Sequence, residues 1–245
     1  MNNTALAANA TETSYLLSEG DYTQYAAAWK EFAGPSGANL TQAFLGPDSN
    51  RLEALSFPPE RIKWLVSAVG VSQIKARFLL MPGPQGERFN LVLFATDATG
   101  YRLSAYYLPD PYFTASTPNG GLGEPIPLDL AADWQKNWHD ADDIKADMFI
   151  SYAATSHEAV TLEGYNFEIK DFVSALFGSA SVPGQNLSLG LGLHEYHAPT
   201  ATSEADLTKT FGLVLQAPAA ELAARGAAAT AARAFDMAFP CPPGT

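Results

Sequence analysis

The sequence predicts an α+β protein made of two homologous tandem units, each with helices packed on an antiparallel sheet. The segment IKWLVSA at 62–68 recurs as IKDFVSA at 169–175. Both copies space their apolar residues at i, i+3 and i+4, which places them on one face of a helix. Runs of alternating apolar residues follow each copy, as in half-buried strands. Helices beside antiparallel strands within one unit define the α+β class.

Three further matches flank this repeat in the same order along the chain. The offset between partners is 105 residues for the first two matches, 107 for the heptapeptide and 122 for the last, which indicates insertions in loops of the second copy. Such self-similarity is the signature of a duplicated unit. We predict that residues 20–108 and 127–217 superpose, with the Ile62 and Ile169 helices equivalent. The flanking matches pair Trp29 with Trp134, Phe44 with Phe149, and Phe89 with Phe211.

Composition divides the 245 residues into five segments. Each repeat of about a hundred residues is long enough to bury its own core. The stretch between the repeats is dense in proline and glycine, which is typical of a linker. The segments are an N-terminal arm (1–20), unit one (21–108), the linker (109–127), unit two (128–217), and an Ala-rich helix with a Pro-rich tail (218–245).

In unit one we expect two helices followed by a three-stranded meander. The first helix ends at Gly34-Pro35 because both residues disfavour its continuation. The second ends near Gly70, since glycine is favoured just beyond a helix. Asp97-Ala98-Thr99-Gly100 is typical of a turn between strands. The expected elements are a helix over 22–32, a short buried segment at 43–45, a loop over 46–56, the Ile62 helix, and strands over 73–81, 89–95 and 101–108.

Unit two follows the same order as far as its second strand. Asn166 is placed to cap the helix that starts at Ile169. Leucines alternate with glycines over 187–193, and glycines on one strand face allow another backbone or an aromatic ring to come close. The expected elements are a helix over 129–138, strands over 187–193 and 208–217 with no third strand after them, and an Ala-rich helix from Pro218 to about Ala234.

Charge narrows the range of partners. Charged residues make up 16% of the chain, against about 25% in typical globular proteins. The net charge is −12 and is uneven: nine acids and eight bases occupy 1–109, whereas seventeen acids and six bases occupy 110–245. No basic stripe is present, so we expect no binding to nucleic acid and none to an anionic membrane surface.

The targeting signals and the cysteine content of the sequence predict the location of the protein and the state of its thiol. The N-terminal segment MNNTALAANATETS has neither the basic region nor the apolar core of a secretion signal. No apolar run approaches the roughly 18 residues of a membrane span. We expect a cytoplasmic protein, or one exported by a route not visible in the sequence. Cys241 is the single cysteine, so it forms no internal disulfide; a free thiol is favoured over an intermolecular bridge.

His194-Glu195-Tyr196-His197 is the strongest metal candidate in the sequence. On a strand, Glu195 and His197 share one face while His194 points away, so two ligands plus a distant acid would be needed for zinc. We interpret these residues as polar positions at a strand end and predict no metal and no cofactor. His139-Asp140-Ala141-Asp142-Asp143 lacks the glycine of an EF-hand loop, which favours a solvated acidic loop.

The remaining motifs also favour structural roles. Gly120-Gly121-Leu122-Gly123 lacks the strand–helix context of a phosphate-binding loop. Asp97 is a catalytic candidate only if other polar groups meet it, and its turn position already accounts for it. The tryptophans are candidates for a ligand pocket, but recurrence of Trp29 and Trp134 at matching positions favours core packing. They are Trp29, Trp64, Trp134 and Trp138.

Several of these segments resemble a group of small uncharacterised proteins common in Bacteroidetes. The segments are Trp134-x-x-x-Trp138, Phe149-Ile150, the Phe172-Val173 helix, the Asp97-x-x-Gly100 hairpin and the ending Pro240-Cys241-Pro242. The resemblance implies a Trp-containing helix, a short helix and a hairpin, here in tandem duplicate. No activity is known for the group, so the resemblance implies no catalytic residue.

Three functional hypotheses remain open from the sequence. The first is a non-enzymatic structural or interaction protein that self-associates into a homo-oligomer or filament, with Pro240, Cys241 and Pro242 in the interface. The second is a binding module for a small ligand or a protein, with its site between the repeats. The third is an enzyme of unrecognised type, which would require His194, Glu195 or His197 to gather with Asp97.

Overall fold

The computed structural model describes residues 15–46, 49–83, 85–110, 125–126, 128–152, 158–177, 186–197, 207–216, 234–236 and 239–240. Helices and antiparallel sheets combine within these residues, so the predicted α+β class is confirmed. Most of the predicted arm and linker lie outside the described residues. The Ala-rich helix predicted from Pro218 and the tail after Pro240 also lie outside them.

The helix starts follow local sequence rules. Ser18 precedes the first helix, and its hydroxyl accepts a hydrogen bond from the backbone N–H of Asp21 at 3.1 Å, which satisfies one otherwise free donor of the first turn. The second helix begins at Pro58-Pro59, since proline fits a first turn. The helices are α1 Glu19–Ala33, α2 Pro59–Val66, α3 Leu128–His139 and α4 Ile169–Phe177, with 3-10 turns at Thr41–Phe44 and Ala146–Phe149.

The strands form two large antiparallel sheets and one small hairpin. They are β1 Leu16–Leu17, β2 Ala54–Phe57, β3 Gln73–Gly83, β4 Gly86–Thr96, β5 Tyr106–Tyr107, β6 Pro125–Ile126, β7 Ile150–Tyr152, β8 Ala159–Thr161, β9 Gly164–Glu168, β10 Leu187–His197, β11 Leu207–Gln216, β12 Ala234–Asp236 and β13 Phe239–Pro240. The first sheet has the order β1-β5-β4-β3-β9-β13 and the second β2-β10-β11-β12-β6. β7 and β8 form the small hairpin.

Each large sheet contains a strand from the other half of the chain. β2 precedes the first hairpin in sequence but pairs with β10 of the second hairpin, with Ala54 opposite Gly190. Conversely, β9 pairs with β3 of the first hairpin, with Gly164 opposite Arg77. The sheets are therefore shared between the two predicted units.

Both halves contain a helix, a 3-10 turn, a short strand, a helix and a long hairpin in that order, and the second half adds the hairpin β7–β8 before its short strand β9. The duplication itself stays a prediction, but the proposed register needs correction. α2 begins at Pro59 and α4 at Ile169, an offset of 110 residues. The predicted match of Ile62 with Ile169 is therefore wrong by three residues. Ile62 corresponds instead to Phe172, and both side chains are fully buried.

The tryptophan match needs a similar correction. Trp29 and Trp138 are the two fully buried tryptophans. The indole N–H of Trp29 donates to the carbonyl oxygen of Leu162 at 3.0 Å, and that of Trp138 donates to the carbonyl of Leu52 at 2.7 Å. Trp134 is only partly buried and packs with Ala131 and Val214 on the outer face of the second sheet. The predicted pairing of Trp29 with Trp134 is thus wrong by one helical turn.

A single aromatic core fills the space between the two sheets. Phe44 from the first 3-10 turn and Phe149 from the second stack at 5.6 Å between ring centroids. Phe211 reaches them from β11, at 4.6 Å from Phe149. Alternation on the hairpins places their apolar residues in this core as predicted. They are Ile74, Ala76, Phe78 and Leu80 on β3, and Leu187, Leu189, Leu191 and Leu193 on β10.

Several short strands differ from the sequence expectations. β2 lies where a loop was predicted. The prediction missed this strand because all four of its residues are buried, so its sequence shows no apolar alternation. Asn166 lies within β9 and accepts a hydrogen bond from Arg77, whereas Asp171 caps α4 by accepting from the backbone N–H of Glu168. β12 is a third strand beside β11 where none was predicted. The strand predicted over 101–108 shortens to Tyr106–Tyr107.

Candidate binding groove

An open, shallow groove of about 600 Å³ lies where α2 meets the edge of the first sheet. The edge strand β1 and its neighbour β5 form one side, and the exposed face of α2 forms the other. The segment before β5 also contributes to the lining. The lining residues are Tyr15, Leu16, Trp64, Ser67, Ala68, Leu103, Ser104, Ala105 and Tyr107.

Three aromatic rings form the floor of this groove. Trp64 lies between the other two: its ring centroid is 6.1 Å from that of Tyr15, at an interplanar angle of 24°, and 5.9 Å from that of Tyr107. Ile62 and Leu65 of the same helix turn toward the core and are fully buried, so Trp64 points outward. Its side chain is 48% exposed, which leaves a large apolar surface in contact with water.

Arg61 holds the groove together from below. Its guanidinium lies over the Tyr15 ring at 4.3 Å from the centroid, within the range of a cation–π contact. The same group pairs with the carboxylate of Asp110 at 2.8 Å and donates to the carbonyl oxygen of Leu108 at 2.7 Å. One buried arginine therefore joins α2, the residue before β1 and the segment after β5.

The groove carries hydrogen-bond donors beside its apolar floor. Burial raises the pKa of the Tyr107 hydroxyl above its ordinary value of 10.0, and the nearby Tyr15 adds to that shift. The hydroxyl therefore keeps its proton at neutral pH. The indole N–H of Trp64 and the tyrosine hydroxyls are donors suited to carbonyl oxygens of a bound chain.

The outer side of β1 is open within the described part of the chain. β1 pairs with β5 through Leu16 opposite Tyr107 and Leu17 opposite Tyr106, and it ends the strand order of the first sheet. An edge strand presents unpaired backbone donors and acceptors, to which another extended segment can bind. The groove and this edge thus form one continuous surface.

Two of the three weak metal candidates, His194 and Glu195, have other contacts on β10. His194 packs its ring on Trp134, at 4.7 Å between centroids. The carboxylate of Glu195 lies 3.7 Å from the ammonium of Lys209 on the neighbouring strand. The side chain of His197 lies outside the described residues. Within the residues that the structure describes, no group of three or more His, Cys, Asp or Glu side chains could hold a metal ion.

Asp97 has the predicted turn role. Its side chain accepts hydrogen bonds from the hydroxyl of Thr99 at 2.7 Å, the backbone N–H of Thr99 at 2.8 Å and that of Tyr101 at 2.9 Å. These bonds, that of the Thr99 hydroxyl first, hold the pKa of the Asp97 carboxyl below its usual value. Asp97 lies beyond β4 in the first sheet, whereas His194 and Glu195 lie in the second.

The acidic segment after α3 is exposed, as the sequence predicted. His139 bonds the carboxylate of Glu53 at 2.8 Å, Asp140 pairs with Lys136, and Asp143 accepts from the side-chain amide of Asn39 at 3.0 Å. All three groups have partners, and those of His139 and Asp143 lie in the first half of the chain, so these two contacts join the halves.

Aromatic side chains pack between the two halves, in the region of one of the ligand sites considered from the sequence. Trp29, Phe44, Phe78 and Phe89 pack there with their ring centroids 4.5–6.3 Å apart. Sequence reasoning named Trp64 only as one of four tryptophans and missed Tyr15 and Tyr107. The available signal was the position of Trp64 off the Ile62–Leu65–Val66 face of its helix.

Comparison of the chain with protein-family models, with curated proteins and with solved structures gives no match. Among the described helices, none combines the length and apolar character needed to cross a bilayer. The groove is therefore interpreted from its own geometry.

Proposed function

We propose that this protein is a non-enzymatic interaction protein that self-associates head to tail into a homo-oligomer or filament, with the aromatic groove as its contact surface. The observation that carries the proposal is Trp64, nearly half exposed between Tyr15 and Tyr107. Tryptophan and tyrosine are enriched where proteins bind one another, and they dominate the binding free energy when a partner desolvates them.

The shape of the groove favours a protein partner over a small molecule. Small-ligand sites are concave and bury most of the ligand surface. This groove is shallow and open along its length, so a small molecule would stay largely in water. An extended segment of protein can cover all three rings together and also reach the free edge of β1.

The distribution of charge favours a head-to-tail arrangement. All groove residues belong to positions 1–109, which hold nine acids and eight bases, whereas positions 110–245 hold seventeen acids and six bases. Contact between two second halves would place like charge against like charge. Contact of the first half of one copy with the second half of the next avoids that repulsion.

The test is the molar mass of the purified full chain by light scattering during size exclusion, as concentration is raised through the micromolar range. We expect the wild type to exceed the monomer mass of 26.1 kDa. Trp64→Ala should shift the protein to the monomer. Tyr101→Ala is the matched control, because Tyr101 is 72% exposed and lies outside the groove.

Two results would contradict the proposal. A wild type that stays at 26.1 kDa on concentration would remove self-association. Equal dissociation by Tyr101→Ala and Trp64→Ala would show that loss of any exposed ring, rather than loss of the groove, causes the effect. Circular dichroism of each variant would verify that its fold is intact.

A further inference from the structure

We propose that the segment occupying the groove is the stretch 241–243 of a neighbouring copy, which directly follows β13. This inference rests on the self-association proposed above and names its two surfaces. The occupant has the sequence Cys-Pro-Pro, and it is preceded by Pro240, which pairs with Tyr165 in β13 of its own copy. Proline fixes its own backbone angle, so such a stretch is already extended before it binds and loses little conformational entropy.

The chemistry of the groove fits a proline-rich segment. Proline-rich chains bind grooves floored by tryptophan and tyrosine, because the flat rings cover the pyrrolidine faces. Trp64, Tyr15 and Tyr107 provide three such rings side by side. Proline carbonyl oxygens are not used within an extended polyproline helix, and the indole N–H and tyrosine hydroxyls of the groove can donate to them.

The position of the segment makes the contact intermolecular. Phe239 and Pro240 pair with Asn166 and Tyr165 of β9, so β13 lies at one edge of the first sheet. The groove lies at the opposite edge, beside β1. Five spacings between neighbouring strands separate the two edges, a distance of roughly 24 Å at about 4.8 Å each.

The chain after Pro240 cannot cross that distance within its own molecule. Pro242 and Pro243 are two and three residues beyond Pro240, and an extended chain covers at most about 3.5 Å per residue, so both stay within roughly 10 Å of the β13 edge. The groove of the same copy is out of their reach. They can enter the groove of a second copy.

A symmetric contact of groove with groove fits the geometry less well. The groove is a concave surface, and two concave surfaces facing each other leave their floors apart. A strand-like segment fills a groove, whereas an identical groove does not. With one groove and one proline-rich segment at opposite edges of a sheet, each copy can bind two neighbours in a ring or an open filament.

A mixing experiment with full-length chains tests this assignment. Variant one is Trp64→Ala, with an altered groove and an intact proline segment. Variant two is Pro242→Ala with Pro243→Ala, with an altered segment and an intact groove. Pro35→Ala, at an exposed turn, is the control for loss of a proline. Light scattering measures the mass of each protein alone and of the equimolar mixture of variants one and two.

We expect wild type and Pro35→Ala to form assemblies larger than a dimer, and each of the two variants to be a monomer alone. Their mixture should form a dimer and nothing larger, because it contains one working groove and one working proline segment per pair. Persistence of full assembly in variant two would overturn the assignment of the segment. Failure of the mixture to form any dimer would overturn it as well.

The outcomes separate this inference from the broader proposal. If wild type itself is monomeric, self-association fails and the inference fails with it. If wild type assembles, Trp64→Ala is monomeric and the proline variant assembles normally, the groove remains the contact surface but another segment or a second groove occupies it. If neither variant changes the assembly, self-association stands and both assigned surfaces are wrong.

Discussion

The indole N–H of Trp138 donates to the carbonyl oxygen of Leu52 at 2.7 Å and so ties α3 of the second half to the segment just before β2 of the first. Trp29 makes the reciprocal bond to the carbonyl of Leu162, before β9. Both rings are fully buried in the core between the sheets. β2 pairs with β10 and β9 pairs with β3, so each half contributes one strand to the sheet of the other. A hydrogen bond from a buried tryptophan fixes the chain just before each of these exchanged strands.

Trp138→Phe should lower the free energy of unfolding by about 2–4 kcal/mol. The substitution removes a buried hydrogen bond, leaves the Leu52 carbonyl unpaired and opens a small cavity. Tyr101→Phe is the control, and it should cost less than about 0.5 kcal/mol because Tyr101 is 72% exposed and lies outside the groove. Urea unfolding of both variants measures the difference. An equal loss of unfolding free energy in the two variants would show that the Trp138–Leu52 hydrogen bond makes no specific contribution to stability.

The two halves should not fold separately. A chain limited to residues 1–110 loses β9 from the first sheet, and one limited to 111–245 loses β2 from the second. Each would expose an unpaired hairpin edge and half of the aromatic core. We expect dispersed nuclear magnetic resonance spectra only when both pieces are mixed. A well-dispersed spectrum from either piece alone would show that a half can fold without the strand that it receives from the other half.

Stability should depend on the protonation of Asp171. Burial raises the pKa of its carboxyl to about 6 from the ordinary 3.8, although the ammonium of Lys170 and the bond from the Glu168 N–H oppose the shift. Because the pKa is higher in the folded state, the folded state binds the proton more tightly. The contribution of the protonated Asp171 carboxyl to the free energy of unfolding is therefore complete below about pH 4 and is lost as the pH rises through about 6.

Asp171→Asn isolates this contribution, since the amide oxygen can still accept from the Glu168 N–H. Between pH 4 and pH 7 the wild type should lose on the order of 2 kcal/mol of stability relative to the variant. Denaturant unfolding at several pH values measures both. Parallel curves for the two proteins would contradict the assignment of the shift to Asp171.

Gly164, at the start of β9, should tolerate no side chain without a large loss of stability. Its φ is +150°, and a Cβ there would lie 2.1 Å from the carbonyl oxygen of Ala76 across the sheet. Gly164→Ala should therefore cost about 2–4 kcal/mol. Gly86→Ala is the control, because φ is +123° there but no atom lies within 4 Å of the added Cβ; it should cost only about 1 kcal/mol. Equal costs would show that β9 does not approach β3 this closely.

The long elements could be predicted from sequence because their signals are local. The apolar alternation of β3 and the helical spacing around Ile62 are set within about ten residues, and the structure has both. The glycine face of β10 was also predictable: a Cβ on Gly192 would lie 3.2 Å from the Trp134 side chain. The pairing of β2 and β9 with strands of the other half was not predictable, because the sequence of a short strand carries no sign of its partner, and β2, buried throughout, also lacks apolar alternation.

The groove could be predicted only in part. Trp64 deviates from the buried face of its helix, and that deviation is visible in the sequence. Tyr15 and Tyr107 are distant from it along the chain and reach it because Arg61 holds the residues around them. Such a position depends on tertiary contacts, which no spacing rule encodes. The register of the repeat was wrong because the matching heptapeptides occupy different places in their helices. The first begins at Ile62, three residues after the start of α2, and the second begins at Ile169, the first residue of α4.

The most direct test of self-association through the aromatic groove is the molar mass of the full chain against concentration, for wild type and Trp64→Ala side by side. We expect the wild-type mass to rise to multiples of 26.1 kDa, while the variant remains at 26.1 kDa with an unchanged circular dichroism spectrum. A wild type that remains at 26.1 kDa throughout, or a folded variant that assembles as the wild type does, would contradict self-association through the aromatic groove.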